Sequence, residues 1–288
     1  MVKKSYSLNF GNPLFIRILF IVSFLLLSVQ VFAHGDLSIR IEKKTLEIKK
    51  DPNNFNLYFQ RGLLYQQHTE YNKSLIDYKK SKTLGNKNNA LEYRIAEVNY
   101  LSEEYNEALK AITSYLKKEK LNTKAKKLEA QILFNLKAYK KSVTAYKYVI
   151  DNLQDIRPEN ILEYAKIILA ENNKNYKDAL QVIEVGLEKL GTNTLSLQLK
   201  KLDYLKESNQ TEKVITQYNY FIIEYNRKEF WYYKKAKYLA SLHQHQQANI
   251  AIQLASINIE KLDAKLKKMN STIKLKQQIK TLENAINN

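Results

Sequence analysis

Apolar residues recur at helical spacing through almost the whole chain. In LEYRIAEVNYL, Leu91, Ile95 and Val98 fall on one stripe, as an amphipathic helix requires. The short polar turn SEE follows. NEALKAITSYL then sets Ala108, Ile112 and Tyr115 at the same spacing. The pattern predicts two amphipathic helices joined by a tight turn.

That unit is written several times. The phrase EYNKSLIDY starts at Glu70 and EYNEALKAI at Glu104, a step of 34. The small residue Gly62 is followed at this step by Ala96 and Ala130, and Tyr71 by Tyr105 and Tyr139. Ser74, Ala108 and Ser142 form a third series, and Tyr78, Ile112 and Tyr146 a fourth. Four positions holding one register point to a stacked repeat. The register then slips by three: Ala165, Tyr176, Ala179 and Ile183 form a fourth unit, after a longer turn AENNKNY. Leu202, Thr211, Val214 and Tyr218 form the fifth, and Ala236, His245, Ala248 and Ile252 the sixth. The small residues have a packing reason, since two helix backbones approach closely only where a side chain is Gly, Ala or Ser. Leu202 breaks that rule and predicts a wider-spaced pair in unit five.

These residues resemble the tetratricopeptide-repeat family. The fullest match is DPNNFNLYFQRGLLYQQHTEYNKSLIDYKKS, with Asp51, Pro52, Tyr58, Gly62, Tyr65, Tyr71, Ser74, Tyr78 and Ser81 at the family's positions. The likeness runs from about 55 to 262. It departs at the position held by Tyr115, Val149 and Phe221, where the contact to the next unit must be repacked. The resemblance implies an all-α fold: a right-handed superhelical solenoid of antiparallel helix pairs. The expected units are 55–88, 89–122, 123–156, 158–194, 195–228 and 229–262, between a capping segment at 34–54 and another at 263–288. LSIRIEKKTLEIKK at 37–50 reads as the first cap, and the Lys-rich 263–286, with Leu266, Ile273, Leu275, Ile279 and Leu282, as the last.

The first 33 residues read as a signal peptide. Lys3, Lys4 and Arg17 precede the apolar run ILFIVSFLLLSVQVFA, which ends in the small residue Ala33. The sixteen-residue run is shorter than the roughly 20 residues of a membrane-spanning helix. Cleavage after Ala33 and export to the periplasm, cell envelope or exterior are expected, with a retained anchor as the alternative.

Composition narrows the chemistry. The chain has no Cys, which excludes disulfides, thiolate nucleophiles and thiolate metal sites. Six Gly and three Pro suit helix throughout. The net charge of +18 comes from scattered Lys; past the leader the only Arg are Arg40, Arg61, Arg94, Arg157 and Arg227. Nucleic-acid readers favour clustered Arg, so no nucleic-acid partner is expected. There is no phosphate-cradling Gly loop, no H-E-x-x-H and no G-x-S-x-G, and no cofactor or catalytic constellation is expected. His243 and His245 are two apart and would diverge on a helix. Cleavage would leave His34 as a free N-terminus, whose amine and imidazole could chelate Cu(II). A frayed terminus is the plainer reading.

By resemblance, partners bind in a groove lined by the first helix of each pair. The candidate residues are Phe59, Leu63, Gln66 and Gln67, then Tyr93, Glu97 and Tyr100, then Lys124, Lys127, Gln131 and Phe134. Units four to six contribute Lys166, then Asp203 and Lys206, then Phe230, Tyr233 and Lys237. Exposed rings beside lysines suit a protein or peptide segment. The family's clamp for acidic C-termini is not supported, because Phe59, Leu63, Arg94 and Leu128 occupy its places and only Lys124 agrees. The leading expectation is a non-enzymatic protein- or peptide-binding scaffold. The alternative is a protein handling an anionic polymer or ligand through its Lys-rich surface.

Overall fold

The computed structural model describes residues 36–287. The predicted signal peptide, Ala33 and the copper candidate His34 lie outside the described residues. The described chain is all helical and repeats the helix pair the sequence predicts.

Helix α1 (36–50) precedes the first repeat. The pairs are α2 (Phe55–Gln67) with α3 (Tyr71–Thr83), α4 (Asn89–Leu101) with α5 (Tyr105–Lys118), and α6 (Thr123–Asn135) with α7 (Tyr139–Asn152). Then come α8 (Pro158–Glu171) with α9 (Tyr176–Leu190), α10 (Leu195–Glu207) with α11 (Thr211–Glu224), and α12 (Lys228–Ser241) with α13 (His245–Glu260). A single turn, α14 (Ala264–Lys267), and α15 (Asn270–Asn287) follow, so the C-terminal cap is two helices. The described residues form two compact units, one ending at Val149 and one beginning at Ile150.

Three columns of the sequence repeat are buried in every pair. Gly62, Ala96, Ala130, Ala165, Leu202 and Ala236 lie inside, as do Ser74, Ala108, Ser142, Ala179, Val214 and Ala248. Tyr78, Ile112, Tyr146, Ile183, Tyr218 and Ile252 fill the third. A Cβ added to Gly62 would sit 2.6 Å from two carbons of the Tyr78 ring, which is fully buried. The hydroxyl of Ser74 donates to the Gly62 carbonyl at 2.8 Å, and that of Ser142 to the Ala130 carbonyl at 2.7 Å. A buried hydroxyl needs such a partner, and the carbonyl behind a small residue is within reach. Leu202 is accommodated by spacing: α10 and α11 approach less closely than α2 with α3, α4 with α5 or α12 with α13.

Turns and caps repeat at the same period. Thr69, Glu103, Lys137, Asn209 and His243 all have φ between 54° and 62°. After each, the next amide donates back five residues, as Glu70 does to Tyr65, Glu104 to Asn99 and Gln210 to Leu205. This pairing satisfies carbonyls at the helix end and ordinarily uses Gly. Asn54, Asn88 and Asn122, again 34 apart, cap α2, α4 and α6 with their side-chain oxygens.

The repacking expected at Phe221 is visible, and Tyr115 and Val149 are placed as follows. Phe221 stacks on Trp231 of α12, with centroids 4.1 Å apart and planes 8° from parallel. Tyr115 accepts from Asn122 at 3.0 Å and packs 5.4 Å from Tyr93. Val149 is fully buried.

The cap helices are keyed by arginines. Arg61 holds the buried Asp77 through two bonds of 2.7 and 2.8 Å and donates to Thr45 of α1 at 3.0 Å. At the other end Arg227 pairs with the buried Glu229 and donates to Thr272 of α15 at 2.9 Å.

Gly62→Ala should destabilise the protein by about 1–3 kcal/mol, the usual cost of overpacking a filled core. Urea unfolding of the two proteins checks this. Equal midpoints would mean that Tyr78 has room to move and that the crossing is not tight.

Candidate functional site

In the first compact unit, α4 and α6 present their side chains to a common concavity of about 330 Å³. Tyr93, Glu97, Tyr100 and Leu101 line it from α4, and Lys124, Lys127, Leu128 and Gln131 from α6. The small residues behind this face, Ala96 and Ala130, seat both helices against their partners. Six predicted residues therefore meet in one place: Tyr93, Glu97, Tyr100, Lys124, Lys127 and Gln131.

Polar contacts fix part of the site. Glu97 accepts from Arg94 at 2.7 Å and from Gln66 at 3.3 Å. The other end of the Gln66 amide accepts from the hydroxyl of Tyr78 at 2.7 Å. Arg94 offsets the charge of Glu97, and Lys124 and Lys127 line the facing wall. The Tyr93 hydroxyl is pushed up to about 12, by burial first and then by the Glu97 carboxylate.

The rings are less exposed than expected. Tyr93, Tyr100 and Phe134 are each half-buried, and each packs on a ring of a neighbouring helix. The partners are Tyr115 at 5.4 Å, Tyr105 at 5.9 Å and Tyr139 at 5.5 Å. The tyrosines that close the turns thus cover one side of Tyr100 and Phe134. Phe134 does not line the concavity. Phe59 lies against Tyr78, 5.7 Å between centroids, and belongs to the core packing. Leu63 and Gln67 line a different hollow of about 410 Å³ between α1 and α2, with Arg40, Lys43, Lys44, Glu47, Gln60 and Leu64.

In the second unit, Lys166, Asp203 and Lys237 are exposed, and Asp203 lies 3.4 Å from Lys200. Tyr233 is half-buried against the last core cluster, its hydroxyl raised by burial. Phe230 lies under the Arg227 guanidinium at 4.8 Å. Lys206 sits over the rings of Tyr218 and Tyr238. A hollow of about 740 Å³ runs between α13 and α15 and is walled by Ile257, Ile259 and Ile279. No groove residue was expected there.

Leu101 and Leu128 line the concavity without having been among the candidates. Leu101, the last residue of α4 and 47% exposed, lies 34 residues after Gln67, so the period itself could have found it. The histidines correct one expectation. His243 occupies a left-handed turn and His245 starts α13, so their rings come within 5.8 Å, edge to face, instead of diverging. Among the described residues no group of three or more His, Asp or Glu could hold a metal ion. None of the described helices is long and apolar enough to cross a membrane.

Neither a protein-family profile nor a curated protein matches the chain. Solved structures do. A tetratricopeptide repeat protein from Parabacteroides merdae aligns over 92% of this chain and 98% of its own, at 15% identity and a TM-score of 0.52. YrrB, described as a TPR protein with an unusual peptide-binding site, aligns over 63% of this chain and 92% of its own, at 16% identity and 0.51. A chain of the structure of Naa15/Naa10 bound to HypK-THB aligns over 81% of this chain and 36% of its own, at 14% identity and a TM-score of 0.55. At these identities the likeness establishes the fold: the chain has the tetratricopeptide-repeat fold.

Tyr78 and Tyr164, like Tyr93, have hydroxyls pushed up to about 12, chiefly by burial. In the unfolded chain these phenols ionise near 10. Stability should therefore be flat up to about pH 10 and fall as pH rises toward 12, because the unfolded state releases those protons first. Urea midpoints measured from pH 8 to 11.5 check the sign; a rise above pH 10 would contradict it.

Proposed function

We propose that this protein is a non-enzymatic scaffold that holds a segment of a partner protein in the α4–α6 concavity. The observation that carries the reading is the convergence of Tyr93, Tyr100 and Leu101 with Lys124, Lys127 and Gln131 on one concave face. Apolar rings supply anchor energy there, and a few polar groups fix orientation. The two lysines favour a segment bearing acidic side chains. A structure with the same fold is described as having a peptide-binding site, which supports the reading by analogy. The Lys-rich surface alone would serve an anionic polymer equally well, but the concavity adds rings and a shaped wall. We also propose that the protein works outside the cytoplasm, in the periplasm or cell envelope, after cleavage behind Ala33.

The test is affinity capture with the mature protein, followed by titration of the identified segment. Tyr100→Ala should weaken binding by roughly 2 kcal/mol, as loss of a ring anchor does. Lys127→Ala should weaken it less and reduce its salt dependence. Binding that is untouched by both substitutions would sink the groove reading. N-terminal sequencing of the exported protein should begin at His34; an intact Met1 would sink the cleavage reading.

A further inference from the structure

The turn between α12 and α13 departs from the other turns at two positions, and both hold histidine. The left-handed residue is Thr69, Glu103, Lys137 or Asn209 elsewhere, and His243 here. The first residue of the second helix is Tyr71, Tyr105, Tyr139, Tyr176 or Thr211 elsewhere, and His245 here. Those five counterparts are half-buried. Tyr105 and Tyr139 close their corners by packing on the rings of Tyr100 and Phe134. His245 does not take that part. It is exposed, and among the described residues its ring contact is with His243, which is exposed too.

The fold does not use these imidazoles. The turn is closed by backbone alone: Leu242 and Gln244 donate to Leu239, and His243 to Ala240. Among the described residues neither ring has a hydrogen-bond or ion-pair partner, so their nitrogens are available. Two residues apart on one helix, the rings would diverge. The φ of 58° at His243 instead brings their centroids to 5.8 Å, with the planes 73° apart. Two imidazoles on one ion, each bound at about 2.1 Å, hold their centroids roughly 4.6–5.3 Å apart. Exposed rings close that difference by turning about χ1 and χ2. The electronegative end of α12 and the electropositive start of α13 meet at this turn, so the helix termini offset each other.

We infer that His243 and His245 form a chelating site for a divalent transition-metal ion of the Ni(II), Cu(II) and Zn(II) class, with water in the remaining positions. Neutral imidazole suits these ions, whereas Mg²⁺ and Ca²⁺ prefer oxygen ligands. A structural zinc site takes four protein ligands; two make an exchangeable site with open positions. The site shares no residue with the α4–α6 concavity, so either can fail without the other.

The experiment is calorimetric titration of the full chain with the chlorides of nickel, copper and zinc, above the ordinary imidazole value of about pH 6.5. The protein carries His34→Ala, which removes the copper candidate at the N-terminus. One ion per chain is expected, with Cu(II) bound more tightly than Ni(II) or Zn(II). His243→Ala and His245→Ala should each weaken binding by at least about tenfold, because one imidazole alone closes no chelate. Both side chains are exposed, so the metal-free variants should melt with the parent, and the loss then reads ligation. His68→Ala should bind as the parent does. Three results would overturn the inference: no binding in the parent, two weak equal sites of which each variant removes one, or a loss that follows His68→Ala.

Discussion

Everything in this protein depends on how closely two antiparallel helices can cross. At the first crossing the backbone of Gly62 lies against the face of the Tyr78 ring, with no space for a methyl group. The Ser74 hydroxyl closes the same contact by donating to the Gly62 carbonyl. Burial of that ring removes apolar surface from water, and the hydroxyl prevents the carbonyl from being buried unpaired. The third pair repeats the arrangement with Ala130, Ser142 and Tyr146. Where the small residue becomes Leu202, the pair stands wider, and the fifth repeat recovers contact through the stack of Phe221 on Trp231.

A repeated pair exposes an unfinished apolar face at each end of the array, and the caps must cover it in one register. Both caps use the same chemistry. Arg61 and Arg227 are each paired with a buried carboxylate, and each donates to a threonine of the cap helix. Each threonine in turn donates to a backbone carbonyl, Thr45 to Ile41 and Thr272 to Leu266. A buried ion pair is a weak source of net stability, since desolvation offsets most of the attraction. Its effect here is selective. A cap docked one turn out of place would leave an arginine without its hydroxyl acceptor, whereas the apolar contacts of Leu275 and Ile279 would tolerate some slippage.

The helix pairs were legible because side-chain size is written in the letters. Gly62, Ala96 and Ala130 declare their crossings, and every member of the three repeating columns is buried. The turns were legible as turns but not in conformation: Thr69, Glu103, Lys137, Asn209 and His243 take a left-handed backbone without the glycine that would announce it. Asn54, Asn88 and Asn122 kept the period openly and are the caps that the eye passes over when it follows apolar residues. The site was half legible. Its position on α4 and α6 follows from the period, because first-helix residues at fixed offsets share a face. The shielding of its rings does not, because it depends on Tyr115 and Tyr105 of a neighbouring helix leaning toward them.

The first helix crossing and the α4–α6 concavity are joined by one side chain. Gln66 accepts from Tyr78, whose ring is the floor of the first crossing, and donates to Glu97, which lines the concavity. Arg94 completes the chain from the other side of Glu97. A carboxylate in a partner-binding face would ordinarily repel an acidic segment. Glu97 is instead held by Gln66 and Arg94, and under the proposed function this pairing offsets the repulsion a lone carboxylate would exert on an acidic segment. The residues that repeat set the distance between helices. The residues that do not repeat inherit that distance, and this is why side chains 34 apart in sequence, Tyr93 and Lys127, can face one another across a single hollow.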